Sequence, residues 1–166
     1  MSNEYFHEEL GGLWGNFLSL DAVLRGFQHR LPNAKPIGIP HGMDVYSYPV
    51  GTEFPISPLA NMEFFSSLVE SYNKEAVARG LGSPIDASLV VLRNALAHGF
   101  VSTDVKEGPM RLLKFGPSRP GFVKITVNET MDLAWFKAQK RRVFDAIHTV
   151  HTAEQKLAKP NPTHFA

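Results

Sequence analysis

Three polar side chains in an otherwise apolar segment are the best candidates for chemistry in this chain. They are Arg93, Asn94 and His98, within the run 92–99. A histidine can take up or release a proton near neutral pH. An arginine fork can bind two phosphate oxygens at once. Because Asn94 lies one helical turn before His98, its side chain can orient the imidazole or hold a phosphate.

Local signals predict that this segment is a helix from about Pro84 to His98. Ser83 is suited to the N-cap, Pro84 to the first helical position and Asp86 to the first turn. Gly99 is suited to the left-handed residue that follows a last turn. The prediction therefore places His98 at the helix C-terminus, where the carbonyl dipoles favour the imidazolium form.

The predicted helix has two apolar faces. One is a core-facing stripe at the 3/4 spacing, formed by Ile85, Leu89, Leu92 and Leu96. On the other side Asn94 and His98 are flanked by small and apolar residues, namely Ala87, Val90, Val91 and Ala95. A helix that is apolar all round is buried all round. The chain is too short to wrap a second complete layer of its own residues around this helix. We therefore expect a homodimer in which helix 84–98 meets its copy across a two-fold axis.

The string Arg93-Asn94-Ala95-Leu96-Ala97-His98 resembles the motif of the HEPN family, in which an arginine and a polar neighbour precede a histidine by four to six residues. The resemblance implies an all-helical domain whose motif helices pair in a dimer. It also implies a metal-independent ribonuclease site with Arg93, Asn94 and His98 as catalytic residues. That activity would suit a toxin or a defence factor with an antitoxin partner. One departure is that Gly99 and Phe100 follow the histidine, where some toxins of the family carry H-x-Y.

Each of these residues also has a plainer interpretation that the sequence leaves open. His98 can cap the last helical carbonyls. Arg93 can form an ion pair with an acidic residue of the first half of the chain. Asn94 can make a hydrogen bond at a subunit interface. These interpretations favour the alternative function, a non-catalytic dimeric HEPN-like protein that binds RNA, a nucleotide or a protein partner in an antitoxin-like role.

The composition is that of an ordinary globular protein of 166 residues, with 43% hydrophobic and 20% charged residues. The absence of cysteine excludes disulfides, thiolate metal sites and cysteine nucleophiles. The first residues lack a basic segment and no apolar run approaches the length of a membrane span. We therefore expect a cytoplasmic protein without a membrane partner.

The charge is distributed unevenly along the chain. Residues 1–75 carry 4 Lys and Arg against 9 Asp and Glu, whereas residues 76–166 carry 13 against 7. A basic half suits a polyanion such as RNA. The candidate RNA-binding residues are Arg111, Lys114, Lys137, Lys140, Arg141 and Arg142. The alternative is an ordinary solvated face. No metal site or other cofactor is predicted, because His148 and His151 lack a recognisable third ligand.

Hydrophobic spacing predicts a mainly α fold, a four-to-five-helix HEPN-like bundle with a β-hairpin before the last long helix. The single domain spans 1–157, and its other helices are Glu4–Leu31, Ser57–Arg79 and Thr130–Leu157. A proline-rich loop covers 32–57, and the hairpin lies within 110–128, with strands Arg111–Phe115 and Phe122–Asn128. Residues 158–166 are predicted to be a flexible tail.

Overall fold

The computed structural model describes residues 3–35, 48–59, 61, 63–102 and 108–157. The fold is mainly α, as predicted, and a small antiparallel sheet precedes the last long helix. In chain order the elements are α1 (Asn3–His29), α2 (Phe65–Ala78), α3 (Ser88–His98), β1 (Phe100–Ser102), β2 (Met110–Phe115), β3 (Ile125–Met131) and α4 (Leu133–Leu157). Residues 36–47 of the predicted proline-rich loop and the whole predicted tail lie outside the described residues.

The chain divides into two compact units. The first comprises Met1–Leu20 and Asp86–Ile147, and the second comprises Asp21–Ile85 and His148–Ala166. Helices α1 and α4 contribute to both. All three candidate catalytic residues and the whole sheet belong to the first unit.

The core of the first unit is formed by apolar residues of α1, α3, the sheet and α4. Its fully buried side chains include Leu13, Leu20, Met110, Leu112, Met131, Phe136 and Val143. Leu89, Leu92 and Ala95 are the buried residues of α3. Because they are spaced by three, they form one inward stripe on the helix.

The sheet has three strands in the order β1-β2-β3, and both pairings are antiparallel. The predicted hairpin corresponds to β2 and β3, although β3 begins at Ile125 instead of Phe122 and extends to Met131. Strand β1 was not predicted from the sequence. A run of three residues directly after a helix is too short to show a period of two, and β1 exists because Phe100, Val101 and Ser102 pair with β2.

The predicted start of α3 at Pro84 is wrong, because the helix begins at Ser88. The Asn73 side chain binds both backbone groups of Ile85, accepting from its N–H at 2.8 Å and donating to its carbonyl at 3.0 Å. These bonds hold Ile85 outside the helix. Asp86, and not Ser83, supplies the side-chain acceptor at this end, since its carboxylate accepts the Ser88 N–H at 2.8 Å.

The predicted start of the second helix at Ser57 is also wrong, because α2 begins at Phe65. The Arg25 guanidinium binds the backbone carbonyls of Asn61 and Glu63 at 3.0 and 3.1 Å. Carbonyls held in this way are not available to a helical ladder. The end of α2 at Ala78 lies one residue before the predicted end at Arg79, and Gly80 follows with a φ of +63°, which glycine adopts without strain.

The last helix begins three residues later than predicted. Met131 still belongs to β3, and the Asp132 carboxylate accepts the Trp135 N–H at 2.7 Å, which is the contact of an N-cap. The C-terminus of α4 at Leu157 agrees with the prediction.

Candidate functional site

His98 is the last residue of α3, and its side chain is exposed. The helix end is closed by the Gly99 N–H, which donates to the Ala95 carbonyl at 2.7 Å. Within the described part of the chain, the imidazole forms no hydrogen bond or ion pair. His98 is therefore not a capping side chain in this structure.

Asn94 lies on the same outward side of α3 as His98, one turn earlier and half-buried. Arg93 lies on the flank of the helix, about 140° around the axis from His98. Their Cα–Cβ directions therefore diverge on α3.

The Arg93 guanidinium lies over the Trp14 ring of α1, 5.7 Å from the ring centroid. This is a cation–π contact. Its Nη1 also approaches the Asn94 Oδ1 at 3.4 Å, the long limit of a hydrogen bond. Among the described residues Arg93 has no carboxylate partner. The ion pair considered as an alternative is therefore absent there, and an aromatic ring positions the cation.

The Trp14 side chain is half-buried. A tryptophan and an arginine on two different helices carry no sequence signal that they will meet. This partner could be found only in the folded structure.

The face of α3 that carries Asn94 and His98 contains one fewer apolar residue than predicted. Ala95 is fully buried in the core of its own unit, so its assignment to the outer face is wrong. The reason is that it lies three residues after Leu92 and continues the inward stripe. Val91 is 56% exposed, and Ala87 is exposed as well. The outward face therefore carries Val91, Asn94 and His98.

The basic residues of α4 are largely paired with acidic ones. The pairs are Lys140 with Glu9 at 2.8 Å, Arg141 with Asp145 at 3.0 Å and Arg142 with Asp86 at 2.7 Å. Lys137 is exposed and has no ion pair among the residues that the structure describes. Three of the four predicted RNA-binding cations of α4 are therefore paired with carboxylates. Lys137 is the most available of the four.

Asp86 joins α4 to the start of α3. Its carboxylate accepts hydrogen bonds from the backbone N–H and hydroxyl of Ser88 at 2.8 and 2.7 Å, and from Arg142. Arg142 also donates to the Ser88 hydroxyl. The Ser88 hydrogen bond, followed by that of Arg142, lowers the pKa of Asp86 from 3.8 to about 2. Arg142 therefore has a structural partner in the unit that holds the candidate site.

The remaining two predicted cations lie on β2. Arg111 is exposed and donates to the Asn128 Oδ1 of β3 at 2.9 Å, while Lys114 is half-buried. Arg111 lies in a shallow depression of the sheet surface with Phe100, Ser102, Leu113 and Asn128. This surface was not predicted, because Leu113 and Phe115 are outward apolar residues and Lys114 between them is only half-buried, so β2 carries no clean alternation.

The described residues contain no group of three or more His, Asp or Glu side chains that could hold a metal ion. The His151 Nδ1 instead lies 3.2 Å from the Glu154 carboxylate one turn away. None of the helices in the described ranges has the length and apolar character needed to cross a bilayer.

No protein-family model, curated protein or solved structure matches this chain. A proposal for its function must therefore come from the residues and their geometry.

Proposed function

We propose that this protein is a HEPN-type, metal-independent endoribonuclease whose site is built from two copies of α3. The observation that carries the proposal is the exposed His98 imidazole, free of protein partners among the described residues. Asn94 shares its side of the helix, and Arg93 lies one residue before Asn94. A proton-transfer group, an amide and a guanidinium are thus concentrated in six residues.

The proposed reaction is a transphosphorylation within RNA. A base removes the proton of a 2′-hydroxyl, and the new bond from O2′ to phosphorus forms as the bond from phosphorus to O5′ breaks. An acid donates a proton to the departing 5′-oxygen. The products are a 2′,3′-cyclic phosphate and a 5′-hydroxyl, so no other reactant is needed.

The chain has a suitable group for each part of this reaction. His98 exchanges the proton, either as the base for the 2′-hydroxyl or as the acid for the departing 5′-oxygen. The Arg93 fork can stabilise the negative charge that develops on the phosphate oxygens. Because Arg93 and His98 diverge on one helix, the arginine of one protomer would work with the histidine of its partner. Val91 is exposed on this same face and is the position at which a subunit contact is tested.

The experiment that tests this proposal compares RNA cleavage by the wild type with that by His98→Ala and Arg93→Ala. Each substitution is expected to lower the rate by about 100-fold or more, the usual effect of losing an acid–base group or a charge-stabilising donor. Cleavage should persist in EDTA. His7→Ala, which removes an exposed histidine from α1, is the matched control and should cleave like the wild type.

Arg93→Lys separates catalysis from packing. A lysine keeps a cation beside Trp14 but lacks the planar fork that binds two phosphate oxygens. This variant should fold like the wild type and still cleave poorly. If subunits exchange, a mixture of His98→Ala and Arg93→Ala is expected to regain activity, since their heterodimer contains one site with both Arg93 and His98. Full activity of His98→Ala, or a wild type that leaves varied RNAs intact, would contradict the proposal.

One observation favours the alternative, a non-catalytic dimeric binding protein. The Arg93 guanidinium is half-buried and lies over the Trp14 ring. A binding protein would use Arg93 as a positioning cation and would retain RNA affinity without cleavage. The same RNA assay distinguishes the two, because a wild-type binding protein would bind RNA and leave it intact.

A further inference from the structure

The outer face of the sheet carries a pair of exposed aromatic side chains. Met110, Leu112 and Met131 point to the buried side of the sheet. On the other side, Phe100 of β1 and Phe115 of β2 lie edge to face, with ring centroids 6.1 Å apart and planes at 71°. Phe100 is 65% exposed and Phe115 is 40% exposed.

This aromatic pair has a cation beside it. Phe100 is directly opposite Leu113, and Ser102 is directly opposite Arg111, so Arg111 is the next outward residue along β2. Its guanidinium has one hydrogen bond, to Asn128, and no carboxylate partner among the described residues. The remaining donors of the fork are available to an anion.

The charge of the surrounding segment has the sign that a nucleic acid requires. Residues 110–131 contain Arg111, Lys114, Arg119 and Lys124 against the single acid Glu129. Two copies of this face brought together across a two-fold axis would place equal positive charges against each other. The charge therefore favours a polyanion over a second copy of this chain as the partner.

We infer that this outer sheet face is a binding platform for single-stranded RNA, on which an unpaired base stacks against Phe100 and Phe115 while Arg111 binds a backbone phosphate. An edge-to-face pair covers only one ring face, and the exposed fractions show that much ring surface meets solvent. Exposed aromatic rings beside cations are the usual means of holding single strands without sequence preference.

The platform is joined rigidly to the candidate catalytic residue. His98 and Phe100 are separated only by Gly99, whose N–H is bonded to α3 and whose neighbour Phe100 is paired with β2. A strand held on the sheet therefore lies beside the end of α3. This inference rests on the proposed function for the identity of the ligand as RNA, and it names the surface that would present the substrate to His98.

The test measures the binding of a short fluorescein-labelled single-stranded RNA by anisotropy, with every variant made in the His98→Ala background. Replacing Phe100 and Phe115 together by Leu keeps apolar bulk but removes both rings, and should weaken binding by about tenfold or more. Replacing both by Tyr keeps the rings and should preserve the affinity. Phe64→Leu, which alters a 78% exposed ring at the start of α2, is the matched control and should have no effect.

A second measurement reports on contact with the base and the phosphate separately. An RNA that contains 2-aminopurine should lose fluorescence on binding to the His98→Ala protein but not to its Leu double variant, because stacking quenches the base. Arg111→Gln should weaken binding and reduce the slope of log affinity against log salt by about one. Arg79→Gln, at the residue directly after α2, makes the same change of charge and should leave that slope unchanged.

Undiminished affinity of the Leu double variant would overturn the platform, and so would a His98→Ala protein that binds no RNA at low salt. Conversion of a dimer to a monomer by the Leu double variant, without loss of RNA affinity, would identify the face as a subunit contact instead. If His98→Ala abolishes cleavage while the Leu variant binds normally, the ribonuclease stands and the platform falls. If the Leu double variant loses RNA binding while His98→Ala still cleaves RNA, the platform stands and the proposed ribonuclease site falls.

Discussion

At the scale of single residues, the partner of Arg93 decides what that side chain can do. A carboxylate would neutralise the guanidinium, whereas the Trp14 ring attracts it without removing its charge. The ring also restricts the rotamers of a long side chain, so less entropy is lost when a phosphate binds. The arrangement therefore leaves Arg93 positioned and cationic.

Asp86 gives a pH-dependent prediction at the same scale. Its pKa is lowered from 3.8 to about 2 in the folded protein. The carboxylate therefore adds stability that is fully present above about pH 4 and is lost as the pH falls toward about 2. Because the side chain is largely exposed, the contribution should be below about 1 kcal/mol.

The measurement is the free energy of unfolding of the wild type and of Asp86→Asn at neutral and at acidic pH. The difference in unfolding free energy between the two proteins should be present at neutral pH and should disappear as the pH approaches about 2. Arg142→Gln removes the guanidinium partner and should reduce the same difference. Asp145→Asn, on α4, is the control for the loss of one surface carboxylate. A difference that grows as the pH falls would show that the sign is wrong.

At the scale of secondary-structure elements, the connection from α3 to β1 is the feature that joins the candidate site to the sheet. Gly99 is the only residue between them, and its φ of −92° and ψ of −178° are extended. The predicted left-handed conformation is therefore wrong. Glycine is required here for a different reason, since a Cβ would collide with the carbonyl oxygen of Ala95 and would lie 2.8 Å from that of Leu113.

Gly99→Ala should lower the free energy of unfolding by about 2 kcal/mol, because two backbone oxygens cannot move aside as a flexible side chain can. Gly15→Ala provides a control of opposite sign. Gly15 lies within α1 with open space around its Cβ position, so alanine should stabilise the protein by about 0.5–1 kcal/mol. Chemical denaturation gives the free energy of unfolding of both variants and of the wild type. Equal stability of Gly99→Ala and the wild type would contradict the proposed close approach.

At the scale of the whole molecule, the proposed activity depends on a second copy of the chain. The outward face of α3 presents Val91 with Asn94 and His98, while Ala95 faces inward. A substitution at Ala95 would disturb the core of its own unit and could not report on a subunit contact. Val91 is therefore the residue at which the dimer is tested.

Val91→Glu should convert the proposed dimer to a monomer, since an unpaired carboxylate buried in a subunit contact is strongly unfavourable. It should also abolish RNA cleavage while leaving the fold intact. Val77→Glu, at an equally exposed valine of α2, is the matched control and should keep the oligomeric state of the wild type. Sedimentation velocity at micromolar concentration measures both. A monomeric wild type would remove the basis of the two-chain site.

The sequence by itself determined the mainly α fold, the extents of α1 and α4 to within a few residues, and the hairpin before the last helix. These features depend on local periodicity, which each segment carries in its own residues. It also determined that Asn94 and His98 share the outward side of their helix, because the turn of an α-helix fixes which residues share a side.

The tertiary structure alone decided where α2 and α3 begin, what holds Arg93, and which face of the sheet is open. Arg25 and Asn73 each bind backbone groups that are distant in sequence and remove them from a helix. Trp14 reaches Arg93 from another helix, and Phe100 meets Phe115 only once three strands have paired. Such contacts join residues far apart along the chain, so no local pattern encodes them, and folding alone brings them together.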